Sequence, residues 1–133
     1  MATFDDVRRL ALALPEVTEK VSWGSPMWCV RDKGFVWDRP LRTKDRAELG
    51  AAAPVGAILG VRVADEGEKQ ALIAANPDVF FTVSHLDGYP AVLLLLDAIS
   101  PEELEELVVD AWLDRAPKRL RDDYLAARGP GAE

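Results

Sequence analysis

At 133 residues and 49% apolar, the chain has the length and hydrophobic content of one folded domain rather than a disordered segment. It carries 16 Lys and Arg against 23 Asp and Glu, a formal net charge of −7. That charge works against non-specific attraction to phosphate backbones or anionic lipid, although a local basic patch can override it.

Thr3 is placed to cap a first helix over 4–14, with Asp5 and Asp6 in the first turn, where the helix dipole favours acids. Val7, Leu10, Ala11 and Leu14 recur at helical spacing, and Pro15 ends the run. Residues 1–10 hold two aspartates and two arginines and no apolar core, so no secretory signal is expected. Two short strands, 27–31 and 34–37, follow as a hairpin, with Gly34 available in the Asp32-Lys33-Gly34 turn for a positive φ.

A polar stretch from Arg39 leads to a short helix near 44–52, and 57–63 reads as a third strand. Within it, Gly60 marks a bulge or a close backbone approach. Asp65, with Glu68 three residues on, starts a helix that runs to Ala75. A second hairpin pairs 79–83 with 91–96, and the run Val92 to Leu96 predicts a central strand covered on both faces, or a strand whose outer face meets another surface. Ser100, Pro101 and Glu103 open the best-marked helix, whose Leu104, Leu107, Val108, Ala111 and Trp112 form one face. A last helix begins near Pro117 and is expected to bury Leu120, Tyr124 and Leu125. Residues 1–128 are read as one domain and 129–133 as a disordered tail.

Strands in adjacent pairs with helices at both ends predict an α+β fold, an antiparallel sheet with N-terminal and C-terminal helices packed on it. The longest apolar run, 91–96, is too short to span a bilayer, so no membrane association is expected. The lone cysteine, Cys29, cannot form an intrachain disulfide, and a reducing, cytoplasmic location is the expectation.

Catalytic signatures are missing: no phosphate-binding glycine loop, no nucleophile elbow and no paired histidines on a helix. With one His and one Cys, neither a zinc site nor another cofactor is expected. The loop 84–90 is the most unusual stretch. Its His85 and Tyr89 either latch it to neighbouring elements or contact a ligand, and Asp87-Gly88 is a turn signal. Trp23, His85, Asp87, Tyr89 and Lys118 are the candidate ligand- or partner-binding residues. Arg31, Lys33, Arg39, Arg42, Lys44 and Arg46, near Trp28, Phe35 and Trp37, are the candidate nucleic-acid contacts, weighed against a solvated charged rim. On the acidic helix, Glu106, Asp110 and Asp114 call for pairing with the basic last helix or for weak cation binding.

The stretches Leu14-Pro15-Glu16-Val17-Thr18-Glu19, Trp23-Gly24-Ser25-Pro26-Met27-Trp28, Asn76-Pro77-Asp78-Val79-Phe80-Phe81, His85-Leu86-Asp87-Gly88-Tyr89-Pro90, and Ala111-Trp112 with Ala116-Pro117-Lys118-Arg119-Leu120 resemble the MmcQ/YjbR family, small bacterial domains of unknown function. The resemblance implies a fold like that of the bacterial frataxin homologue. It also brings a DNA-binding label, attached to such domains by fold comparison, and the thought of iron on an acidic helix; fold alone fixes neither. The resulting expectation is a non-enzymatic binding or regulatory module for an unknown small ligand or protein. The alternatives are DNA binding through 31–46, and a small-metabolite enzyme or weak metal binder.

Overall fold

The computed structural model describes residues 2–22 and 24–128. Helix α1 (Phe4–Leu12) is closed by a reciprocal cap: Thr3 Oγ1 accepts from the Asp6 amide, and the Asp6 carboxylate accepts from the Thr3 amide. Strands β1 (Val17–Ser22), β2 (Ser25–Val30) and β3 (Lys33–Asp38) form an antiparallel meander. The β2–β3 turn lies one residue earlier than expected. Arg31 and Asp32 take the positive φ values, 50° and 67°, while Gly34 is a strand residue under the Met27 side chain. β1 is a further departure from expectation, because a polar edge strand with few buried positions carries no apolar alternation to detect.

Helix α2 (Thr43–Leu49), extended by a 3₁₀ turn at Gly50–Ala52, precedes β4 (Ile58–Arg62). Helix α3 (Glu66–Ala75) starts where Asp65 Oδ1 accepts from the Glu68 amide at 2.8 Å. The next strand, β5 (Phe80–Phe81), is only two residues long and pairs with β6 (Ala91–Leu95). Helix α4 (Pro101–Arg115) is capped by Ser100 Oγ, and α5 (Lys118–Arg128) follows. The six strands run β1-β2-β3-β4-β6-β5, antiparallel throughout. The expected α+β architecture is the one found.

Because alternate strand residues leave opposite faces, the sheet has two cores. On one face Trp28, Val36, Leu59, Val61, Val92 and Leu94 pack against α1 and α4. Leu120 and Tyr124 of α5 add to it, but Leu125 is 46% exposed, contrary to expectation, since it lies on the outer side of its helix. The opposite face carries a smaller core of Ile58, Val83, Leu86 and Leu93, with Leu41, Leu49, Phe81 and Leu95 against it. β6 contributes to both, as its unbroken apolar run predicted. No described helix is long and apolar enough to cross a membrane.

Candidate functional site

The smaller core covers only part of its face. Toward β2 and β3 the cover stops, and Met27 and Trp37, register partners on neighbouring strands, remain partly exposed. Gly60 is the register partner of Trp37 on β4, and a Cβ built there would clash with the indole ring. Where a bulge or a close backbone approach was expected, β4 runs through without a bulge, and it is the Trp37 side chain that closes on Gly60. The missing side chain lets the Trp37 ring pack directly against the β4 backbone, where it lines a groove of about 560 Å³.

One wall is the segment after β3. Arg39, only 6% exposed, donates from Nη1 to Asp45 at 2.9 Å and to the Pro40 carbonyl at 2.7 Å. Asp45 also accepts from the Arg42 amide. Burial pushes the Asp45 carboxyl up, but the Arg42 amide and the Arg39 guanidinium outweigh it and hold the group below its ordinary value. Arg39 Nη2 is buried and has no hydrogen-bond partner. The Arg42 side chain is exposed and forms no hydrogen bond or ion pair among the described residues.

The other wall is the 84–90 loop, fastened at three points. Lys69 of α3, 1% exposed, donates from Nζ to the Leu86 carbonyl at 2.8 Å and the Tyr89 carbonyl at 3.2 Å. Glu48 of α2 accepts from the amide and hydroxyl of Ser84. Arg62 donates to Tyr89 Oη at 3.1 Å and lies over its ring. His85 and Tyr89 thereby face the groove from a braced loop, with Ser22 and Ser25 opposite. Tyr89 is thus part of the latch, and it also lines the groove.

Of the remaining sequence candidates, Trp23 lies outside the described residues, as does the tail 129–133. Asp87 is exposed in the same loop but does not line the groove. Lys118 is on α5, 2.7 Å from Asp122, and does not line it either. The six basic residues do not form one patch. Arg31, ion-paired with Glu16, and Lys33 sit at the turn end of β3. Arg39, Arg42, Lys44 and Arg46 lie beyond its other end, roughly 20 Å away for a six-residue strand. Arg39, moreover, is spent on Asp45. Sequence reasoning missed Trp37 as a floor and Lys69 as a clasp. The glycine in the middle of an apolar strand was the signal for the first, and a lysine among α3's inward positions was a faint signal for the second.

Elsewhere, Cys29 is fully buried and its thiol is pushed up by burial. It does not line the groove with His85. Among the described residues no ion pair joins the acidic helix to the last helix, although Arg121 is near enough to attract the Asp114 carboxylate; Arg121 donates to the Leu113 carbonyl, and Lys118 pairs within its own helix. Burial, then neighbouring acids, push the Asp110 and Asp114 carboxyls up. Among the described residues no group of three or more His, Cys, Asp or Glu could hold a metal ion.

Comparison with known proteins agrees with this architecture. The family model described as YjbR matches residues 12–113. Uncharacterized proteins of Mycobacterium bovis and Mycobacterium tuberculosis are 49% identical over 132 residues, covering 97% of this chain and 100% of theirs. A crystal structure of a Deinococcus radiodurans protein with a domain described as DUF419 superposes with a TM-score of 0.66 at 20% identity, covering 92% of this chain and 88% of that one.

Proposed function

This chain belongs to the YjbR family, and we propose that it serves as a non-catalytic module that binds a small molecule in the groove over Trp37. One observation carries the reading. Three segments far apart in sequence, 22–27, 37–42 and 85–89, line a single concavity on the sheet face that the long helices leave bare. Such a concavity, with an apolar floor and a few converging polar groups, is the usual form of a small-molecule site. The loop forming its wall is braced by a buried lysine, so the site is held in shape before anything binds.

A binding role fits the groove's chemistry better than catalysis. His85 makes no hydrogen bond to Ser22, Ser25 or Tyr89, so no nucleophile is held against a base. Duplex DNA fits less well, because the basic residues are divided between two ends of the sheet on a chain of net charge −7. The charge and the single buried thiol are consistent with the cytosol.

The test is ligand-observed NMR with a panel of anionic, neutral and cationic aromatic fragments against the wild type and a groove-filling Ser25→Trp variant. Fragments should bind the first and not the second, while the two proteins melt alike. A panel that binds neither, or both equally, would refute the reading.

A further inference from the structure

We infer that the groove selects a small organic anion: a flat apolar body on Trp37 and Met27, with its charged end at Arg42. This rests on the groove being the binding site and adds the sign of the ligand's charge.

The argument is a charge count at the site. Strand alternation puts Ser25, Met27 and Trp37 on the groove side. Asp38 borders the groove at the end of β3, but it follows Trp37 directly, so its side chain leaves on the opposite face. The carboxylate bonded to this arginine-bearing wall is Asp45, which does not line the groove and is already held by Arg39 and the Arg42 amide. The Arg42 guanidinium, which makes no hydrogen bond or ion pair among the described residues, therefore sets a positive charge at the rim of a concavity whose floor is apolar and whose walls carry the neutral polar groups of Ser22, Ser25 and Tyr89. Behind it, Arg39 is nine-tenths buried, and its Nη2 has no acceptor anywhere in the described protein. A buried guanidinium donor is costly to leave unsatisfied, and because Arg39 lines the groove, a small outward shift of its side chain would let an oxygen of a bound ligand accept from it. Carboxylate, sulfonate and phosphate share the needed geometry, because the guanidinium fork matches two acceptor oxygens. The surrounding negative chain then repels large polyanions while leaving this one positive concavity open to a small one.

Two probes with nearly the same aromatic body separate the claims: 1-anilinonaphthalene-8-sulfonate and the uncharged N-phenyl-1-naphthylamine, each titrated by fluorescence. The sulfonate should bind one-to-one and about tenfold tighter than the neutral probe, the scale of one charge-assisted contact. Arg42→Gln should erase that preference without changing the neutral probe's affinity. Ser25→Trp should abolish both, with Ser22→Trp as a second filling variant should the first not fold. Equal affinities in the wild type, both lost on filling the groove, would overturn the charge preference and leave the site standing. A preference that survives Arg42→Gln would also overturn it. Sulfonate binding that persists in a folded, groove-filled variant would overturn the site itself.

Discussion

Lys69→Met tests whether the binding loop is held by a buried ammonium. Lys69 is 1% exposed and spans from α3 to two loop carbonyls at 2.8 and 3.2 Å, with Glu66 3.6 Å away. Hydrogen bonds to a charged donor contribute about 1.5–3 kcal/mol each. Methionine keeps most of the stem's packing and removes the cost of burying the charge, so the two losses do not appear in full. Leu86 O still accepts from the Tyr89 amide, and Tyr89 O from the Ala91 amide, so neither carbonyl is stranded. The net loss should be about 2 kcal/mol. In a domain of this size that lowers the thermal midpoint by roughly 6–10 °C.

The loss should also be local. Amide exchange should accelerate at Asp87 and Tyr89, whose amides are bonded inside the loop, while the β4 and β6 amides follow only the global change. A midpoint within about 1 °C of wild type, with exchange in 84–90 unchanged, would refute the clasp. A lower midpoint without faster loop exchange would move the role of Lys69 from the loop to the core.

Asp45→Ala should cost about 3–5 kcal/mol in urea denaturation, because it leaves the Arg39 charge buried and unpaired. Arg39→Met with Asp45→Leu should recover most of that loss. Asp45 titrates below its ordinary 3.8, so its contribution is complete above that value and fades as pH falls through the lower folded value; the cost of Asp45→Ala should shrink there. Asp114 is opposite in sign: its folded carboxyl is pushed up by burial and by Asp110, so ionisation opposes folding. Asp114→Asn should raise the melting midpoint at neutral pH, and the gain should vanish as pH falls below the ordinary value of 3.8. Gly60→Ala should cost about 1–3 kcal/mol and change the near-ultraviolet circular dichroism of Trp37, because the new Cβ must push the ring out of the groove floor. An unchanged spectrum would show that Trp37 does not lie there.

Helices were legible wherever a cap and a periodic face coincided, as at Thr3 and Ser100, because those signals act within a few residues. Strands were legible where burial demanded apolar side chains, as in β6. They were not where pairing alone made them: β1 is polar because it is an edge, and its order comes from β2 and from Glu19, which accepts from Arg8 and Trp28. The hairpin turn slipped by one residue because Arg31 and Asp32 absorb the positive φ that a glycine was expected to take.

Local chemistry in the chain thus determined the element types, the antiparallel α+β class, the family resemblance, and His85 and Tyr89 as residues to watch. Only the tertiary structure decided that Trp37 lies on Gly60, that Arg39 is consumed by Asp45, that Lys69 holds the loop, and that Lys118 stands outside the groove. Each of these depends on which strand neighbours which and on which face a side chain leaves. Sheet order and pleat bring Trp37 onto Gly60, and the packing of α3 brings Lys69 to Leu86 and Tyr89; the mid-strand glycine and the inward lysine hint at one side of each meeting, and the local pattern does not name the partner.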